Sequence, residues 1–486
     1  MTTSGLSRLQ KCRLSRPFCA GAGWSLVLAA GMTLVSAPVV SAAAREAPEG
    51  GITAPRFAPQ DPASSQSNAT TEKKPKDDKP QKEENPPKEK KKKGAVQFLF
   101  VPHPSLRVGK QVQVDFRARV RGEANRSDAA SADQSRLDLE RRRVGIEGEL
   151  LKAVAFQVSR ETTGTDPWRE AWVDYEQFTF ARAQWGLFKL PFSVDENTGA
   201  TNQDFASRSL AANALAPGRA RGWMLHGQVF NHALGYEYGV FDHDGHNAYT
   251  NNPGRVTGAS TTAWRLTSQP LRRIKSKWTD LEVGYGSTTS DLVEGFSSIK
   301  GQTVLGEDFY ASHFLVNGAR RRTSYELRFR PGPFSLKSEF IRVTEERLGE
   351  GVEDTALSPL VAEGWYMSGT WAVTGETKSD GLTEPIRPLA RGGIGALEVA
   401  VRLEQLSFGS EASFAAPGET GSTSPRADVV LGNSDRALTL GVNWYPNRYL
   451  KLQFNVIKEQ LTDPSQGPLP GTSSFWSRVI RLQLGF

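Results

Sequence analysis

Cysteine is almost absent. The 486-residue chain has two, Cys12 and Cys19, and both fall within the first 44 residues. If that stretch is removed on export, no disulfide, thiolate metal site or cysteine nucleophile remains. Long hydrophobic runs are missing too. After residue 45 no apolar run is both long and uninterrupted, which excludes a bundle of membrane-crossing helices. A β-barrel stays open, because its strands need only about ten alternating residues each. Charge of one sign is lacking in the main body. Of the formal +7, residues 1–44 carry four basic and no acidic side chains, and residues 45–93 carry twelve against nine. Residues 94–486 carry 44 of each sign, so the basic balance implies no nucleic-acid partner.

What is present at the N-terminus divides cleanly. Arg8, Lys11, Arg13 and Arg16 precede the apolar stretch Trp24–Val35, and Ser36–Ala44 is rich in small residues. This is the pattern of a secretory signal over 1–44. Residues 45–93 read as a linker. The 22 residues from Glu72 to Lys93 hold ten Lys, six acidic residues and four Pro. Such a segment buries too little apolar surface to offset chain entropy and is expected to be disordered. At about 3.1 Å per residue it could reach on the order of 100–150 Å, as an inert spacer or as a periplasmic tether to anionic cell-wall polymer.

From Ala95 onward the hydrophobic period is two. Val114, Phe116, Ala118 and Val120 alternate with Asp115, Arg117, Arg119 and Arg121. Tyr325, Leu327 and Phe329 alternate with Glu326, Arg328 and Arg330, and Leu397 to Glu404 and Leu438 to Tyr445 repeat the pattern. At the end, Ile480, Leu482, Leu484 and Phe486 share one face, with Arg481 and Gln483 on the other. Side chains alternate across a strand, so one face can meet lipid and the other water. Only a closed barrel lets a sheet cross hydrocarbon without an unpaired edge. The fold class expected is therefore all-β: an antiparallel transmembrane barrel of about 16 strands over 94–486, preceded by a disordered arm. Tight turns are expected at Asn231–Ala233, Pro331–Pro333 and Pro446–Arg448. Long outer loops are expected at about 195–221, 242–260, 287–307, 345–363, 376–393, 409–433 and 461–473. Trp172, Tyr175, Trp365, Tyr366, Trp371, Trp444, Tyr445 and Tyr449 lie near strand ends, as interfacial girdles require. The last strand, with Phe486 as its assembly signal, would be read by the barrel-assembly machinery.

Scattered motifs over 137–486 resemble the phosphate-selective porins O and P. Leu139–Gly148 is similar to the family's arginine-rich early strand, and Arg169–Tyr175 and Gly186–Ser193 follow in family order. Arg208–Leu210, Pro217–Arg219, Gly364–Tyr366 with Thr374–Glu376, Gly395–Ala400 and Gly441–Tyr445 continue it. The resemblance implies a sixteen-stranded trimeric outer-membrane porin of a Gram-negative-type bacterium, with a loop folded into each channel. In its best-understood members it implies an arginine-lined anion path.

Fixed positive charge at a constriction favours anions, and arginine suits phosphate because its planar fork donates two parallel bonds. Alternation makes Arg117, Arg119, Arg121, Arg141, Arg143, Arg328, Arg330, Arg402 and Arg481 the candidates for the lumen. Residues 195–221 are the expected constriction loop, with Arg208, Arg219 and Arg221 its candidate charges. Carboxylates on the same faces (Asp115, Glu147, Glu326, Glu398, Glu404) keep a non-selective general porin open as an alternative. Phosphate, polyphosphate, pyrophosphate and chloride all fit an arginine-lined path. A third reading makes the barrel a structural anchor whose basic linker ties outer membrane to cell wall. The six histidines match no serine-nucleophile motif, so no enzyme, catalytic residue or cofactor is expected. Asp242-His243-Asp244-Gly245-His246 fits no standard metal spacing and reads as a polar loop.

Overall fold

The computed structural model describes residues 96–486 apart from 102, 129–137, 163–167, 244, 246–259, 273, 275–279, 379–383, 417 and 470. The expected export segment 1–44 and linker 45–93 lie outside the described residues, as do Asp244 and His246.

Two short strands, β1 (Val96–Leu99) and β2 (Ser105–Val108), form a hairpin. They are followed by β3 (Val112–Ser127), β4 (Asp138–Leu150), β5 (Val154–Glu161), β6 (Trp168–Phe178) and β7 (Ala181–Lys189). Next come β8 (Arg219–Val229), β9 (Leu234–Phe241), β10 (Thr261–Ser268) and β11 (Leu281–Phe296). The small pair β12 (Gly301–Gln302) and β13 (Asp308–Tyr310) interrupts the series. It resumes with β14 (Leu315–Phe329), β15 (Phe334–Arg347), β16 (Leu357–Ala372), β17 (Ala396–Ser410), β18 (Asn433–Asn447), β19 (Leu450–Leu461) and β20 (Ser474–Gly485). Each long strand pairs antiparallel with its neighbours, and β20 pairs with β3, so sixteen strands close into a barrel.

Closure ends at Phe486, whose backbone exchanges two hydrogen bonds with Ala118, at 3.1 and 3.2 Å. Below that rung the edge of β3 passes to the hairpin: Phe116 N donates to Pro104 O at 2.9 Å, and Ser105 lies opposite Asp115. Strand β2 thus continues the line of β20 along β3.

The alternation sorts side chains as the sequence implies, inside out relative to a soluble protein. Val399, Val401 and Leu403 of β17 are exposed, while Glu398, Arg402 and Glu404 are buried. Outward Leu440, Ile480, Leu482 and Leu484 repeat this on β18 and β20. Tyr175, Trp365 and Trp371 face outward in the girdles, joined by Trp185, Trp223 and Trp476. Tyr366 and Tyr445 are buried instead, and Trp172 packs inside against Phe188, because strand parity rather than proximity to an end sets direction.

Three expected loops need correction. The Gly/Ser/Thr run around 284–290 is strand, since β11 pairs with β10 and β14 and its small inward residues leave room for neighbours; a Cβ on Gly286 would sit 3.3 Å from Phe192. The true connection is 297–314. Strands β15 and β16 leave only 348–356 between them. The segment around 376–393 joins β16 to β17 at the end where the tight turns lie, and short turns mark the periplasmic side. The turns at 230–233 and 330–333 fall as expected, whereas β18 runs on through Pro446 to Asn447.

Deleting Phe486 removes both hydrogen bonds that finish closure. The amount of heat-modifiable, folded barrel in outer membranes should fall below half of wild type; undiminished folded protein on gels would show the rung is dispensable.

Candidate functional site

The connection between β7 and β8, residues 190–218, folds inward and is almost wholly buried. It carries two short helices, α1 (Val194–Asn197) and α2 (Leu210–Leu215). Asp195 joins them, its Oδ2 accepting from Ser209 N at 2.8 Å and Ser209 Oγ at 2.9 Å. Helix α2 lies flat on the β16 wall: a Cβ on Gly364 would come 2.8 Å from the Ala211 Cβ.

A buried loop must find partners for its peptide groups. Here lumen side chains supply them. Arg402 Nη1 donates to Ser207 O (2.9 Å), Glu404 Oε2 accepts from Leu210 N (2.7 Å), and Arg322 Nε donates to Leu215 O (2.8 Å). Asn443 donates to Asp204 O (2.8 Å), and Asn455 accepts from Ala206 N (2.7 Å). One ion cluster of the loop centres on Asp204, held by Lys337 at 2.7 Å and Lys378 at 2.9 Å. Burial alone would raise the Asp204 carboxyl, but the two ammonium groups outweigh it and hold the group well below the usual range. Lys451 Nζ also donates to Gln203 O beside it.

A second loop, 297–314, enters from the outer end. Tyr310 stacks on Phe408 with centroids 4.6 Å apart, and Asn433 donates to Phe309 O at 3.0 Å. Burial pushes Glu307, in its turn, up to about 7.

The candidate arginines divide by role. On the β3–β4 wall, Arg119 stands directly opposite Arg143, and Arg121 opposite Arg141, all four buried toward the lumen. Arg143 pairs with Glu161 at 2.6 Å, and the half-exposed Arg117 pairs with Glu147 at 2.6 Å. Arg119 reaches Thr201 Oγ1 of the inward loop at 3.4 Å, while its Nη1 is buried with no hydrogen-bond partner among the described residues. Arg481 pairs with Glu123, its Nε at 2.7 Å. Arg328 pairs with Glu282, and Arg330 lies in the β14–β15 turn against Asp280, both at the periplasmic rim. Arg402 pairs with Glu404 and lies 4.6 Å over the Phe205 ring, so its charge braces the loop.

Of the expected loop charges, only Arg208 is in the loop. It is buried there, its Nε 2.8 Å from Glu196, which also pairs with Lys189. Arg219 and Arg221 belong to β8, because pairing with Lys189 and Leu187 extends the sheet to residue 219. Arg219 turns inward onto Glu170 (2.9 Å), and its two Nη atoms are buried without a hydrogen-bond partner among the described residues. Arg221 is exposed opposite outward Leu187, which removes it from the constriction.

Sequence reading missed Arg265, Arg320, Lys337, Lys378 and Lys451. Arg320 and Arg322 are wholly buried, with outward Arg321 between them. Counting parity back from Leu327 through the Arg320–Arg322 run would have assigned them. Strands β14–β19 also bury the carboxylates Glu326, Glu339, Glu404, Asp435 and Glu459 on the lumen side. Among the described residues no cluster of three metal-ligating side chains occurs.

A closed barrel whose lumen is charged and narrowed by an inward loop is the architecture of an outer-membrane channel. The family model for phosphate-selective porin O and P matches residues 106–270 and 308–486, and the chain belongs to that family. Among solved structures it is similar in fold to a loop-deleted OmpT of Vibrio cholerae, at 11% identity and TM-score 0.50 over 77% of this chain and 100% of that one. The intact OmpT of Vibrio cholerae aligns at 10% identity and TM-score 0.49 over 78% and 99%. The outer-membrane channel DcaP of Acinetobacter baumannii aligns at 9% and 0.47 over 77% and 98%. No curated protein matches the sequence. The protein is an outer-membrane porin of Gram-negative type.

Asp204→Ala would strip Lys337 of its counter-ion and leave Lys378 with Glu398 alone. The expected cost is about 1–3 kcal/mol, read as a lower unfolding midpoint and noisier single-channel current; unchanged values would mean the loop is held elsewhere. The raised Glu307 carboxyl favours the neutral form in the folded loop. That contribution is complete below about pH 4 and is lost as pH rises through about 7. Hydrogen exchange in 297–314, corrected for its intrinsic pH dependence, should accelerate across that window in wild type and stay level in Glu307→Gln.

Proposed function

We propose that the pore passes small hydrophilic solutes by diffusion and prefers anions, phosphate-bearing ones included. The observation that carries this reading is the pairing of Arg119 with Arg143 and Arg121 with Arg141 on adjacent strands. Like charges directly opposite on a sheet are destabilising unless something negative lies between them. Glu147 pairs with Arg117 and Glu161 with Arg143, while Arg119 keeps a buried Nη1 without a hydrogen-bond partner among the described residues. An anion moving past Thr201 of the inward loop would meet successive guanidinium groups, each able to bind it bidentately and release it to the next.

A general porin is the second reading, favoured by the buried lumen carboxylates Glu339, Asp435 and Glu459 that accompany the arginines. Opposed charges set a transverse field and give weak selectivity. Homotrimers, a cleaved segment 1–44, a disordered 45–93 arm and a link from that arm to cell-wall polymer complete the proposal. The arm's tethering role is compatible with transport, since deleting 45–93 would spare conductance and abolish wall association. The barrel acts as a conduit, with no catalytic step.

The test is the zero-current potential of refolded protein in a planar bilayer under a salt gradient, followed by phosphate titration. Anion selectivity with block by low phosphate is expected. Changing Arg117, Arg119 and Arg121 together to Ser should lower the anion preference several-fold. Unchanged selectivity would take these residues out of the pathway, and a cation-selective wild type would favour the general porin.

A further inference from the structure

The outer surface carries a second concentration of positive charge, separate from the pore. On β3 and β20, outward-facing Arg126 and Arg478 are directly opposite each other. Both are exposed, and neither has an ion-pair partner among the described residues. On the next strand, Lys458 of β19 lies opposite Trp476, its Nζ 5.2 Å from the centre of that ring. Arg436 of β18, opposite Gln460, extends the group to a fourth strand, and its Nε donates to Gln405 at 3.1 Å. Among the described residues one carboxylate shares the patch: exposed Asp128, whose backbone N donates to Trp476 O. Four cations therefore face one anion across four adjacent strands.

Height along the wall tells what they face. Arg478 is eight residues above Phe486 on the same outward row, separated from it by Ile480, Leu482 and Leu484. At about 3.4 Å per residue and a tilt of about 40°, that is roughly 20 Å along the membrane normal. The apolar band of an outer-membrane barrel is about 25 Å tall, so the cations stand at its outer edge, level with the girdle residue Trp476. Beneath them Leu438, Leu440, Phe454 and Ile480 form a continuous apolar surface. Two unpaired guanidinium groups side by side at this boundary are costly unless an anion bridges them. Guanidinium forks match phosphate oxygens bidentately, and the low dielectric of the interface strengthens that contact.

We propose that this patch binds a phosphorylated glycolipid of the outer leaflet. Its phosphates would lie between Arg126, Arg478 and Lys458, and its acyl chains would run down the apolar rows below. Adjacent phosphates and acyl chains in one molecule match the adjacent cations and leucines on the wall. The partner is thereby distinguished from free phosphate, which has no use for the apolar surface.

The experiment uses the purified full-length protein in detergent. Its unfolding midpoint is read by heat-dependent gel mobility after adding a bis-phosphorylated acylated glucosamine disaccharide, the same lipid dephosphorylated, or inorganic phosphate. The phosphorylated lipid should raise the wild-type midpoint by several degrees, and the dephosphorylated form should not. In R126Q/R478Q the shift should be largely lost, while the zero-current potential stays at the wild-type value because both residues face away from the lumen. An equal shift from the dephosphorylated lipid, or a full shift in the double variant, overturns the proposal. A shift from inorganic phosphate that the double variant abolishes also overturns it, by assigning the patch to the free ion. Should the double variant not fold, the comparison of the two lipids on wild type decides alone.

Discussion

Hydrocarbon offers no hydrogen bonds, and every other feature of this protein follows from that. Each backbone N–H and C=O inside the bilayer needs a partner in the chain, so the sheet must close. The rung between Phe486 and Ala118 finishes the closure, and the hairpin β1–β2 takes up the edge of β3 below it. Once the ring is closed, alternation along each strand has one consequence: leucine, valine and isoleucine go out to lipid, and charge goes in.

The inward charge then does two kinds of work. On β14–β19, side chains such as Glu404, Arg402, Asn443 and Asn455 serve as hydrogen-bond partners for the backbone of 190–218. They play the part that a neighbouring strand plays elsewhere. On β3 and β4, Arg119 stands opposite Arg143 and Arg121 opposite Arg141, with Glu161 paired to Arg143. One part of the lumen wall thus holds the loop, and another gathers guanidinium groups.

The same logic applied to the outer face explains why Arg126, Arg478 and Lys458 stand out. A lipid-facing strand tolerates a cation only near its ends, where the side chain can reach the interface. Paired arginines there, with an aromatic girdle at their level and bare leucines beneath, describe a surface fitted to an amphiphile with anionic heads. On the proposed reading, pore selectivity and lipid contact are carried by the two faces of the same strands. On β3 they alternate residue by residue.

Much of this was legible in the residues. Period-two alternation along β3, β17, β18 and β20 determined the barrel, its near strand count and the inward direction of Arg119, Arg143, Arg402 and Arg481, because the pleat fixes side-chain direction. Turn residues marked the ends of β8 and β14. Alternation is silent on three matters that the fold decided. It could not tell loop from strand in the small-residue run of β11, since only the packing of Phe192 against Gly286 explains those residues. It could not say that Arg219 and Arg221 belong to β8, because register is set by the partner strand. Nor could it say which inward charges are consumed: Arg402, Arg208 and Lys337 are bound to a loop from far along the chain, whereas Arg119 meets another arginine. Direction is a local property of the chain, but neutralisation depends on what arrives across the lumen.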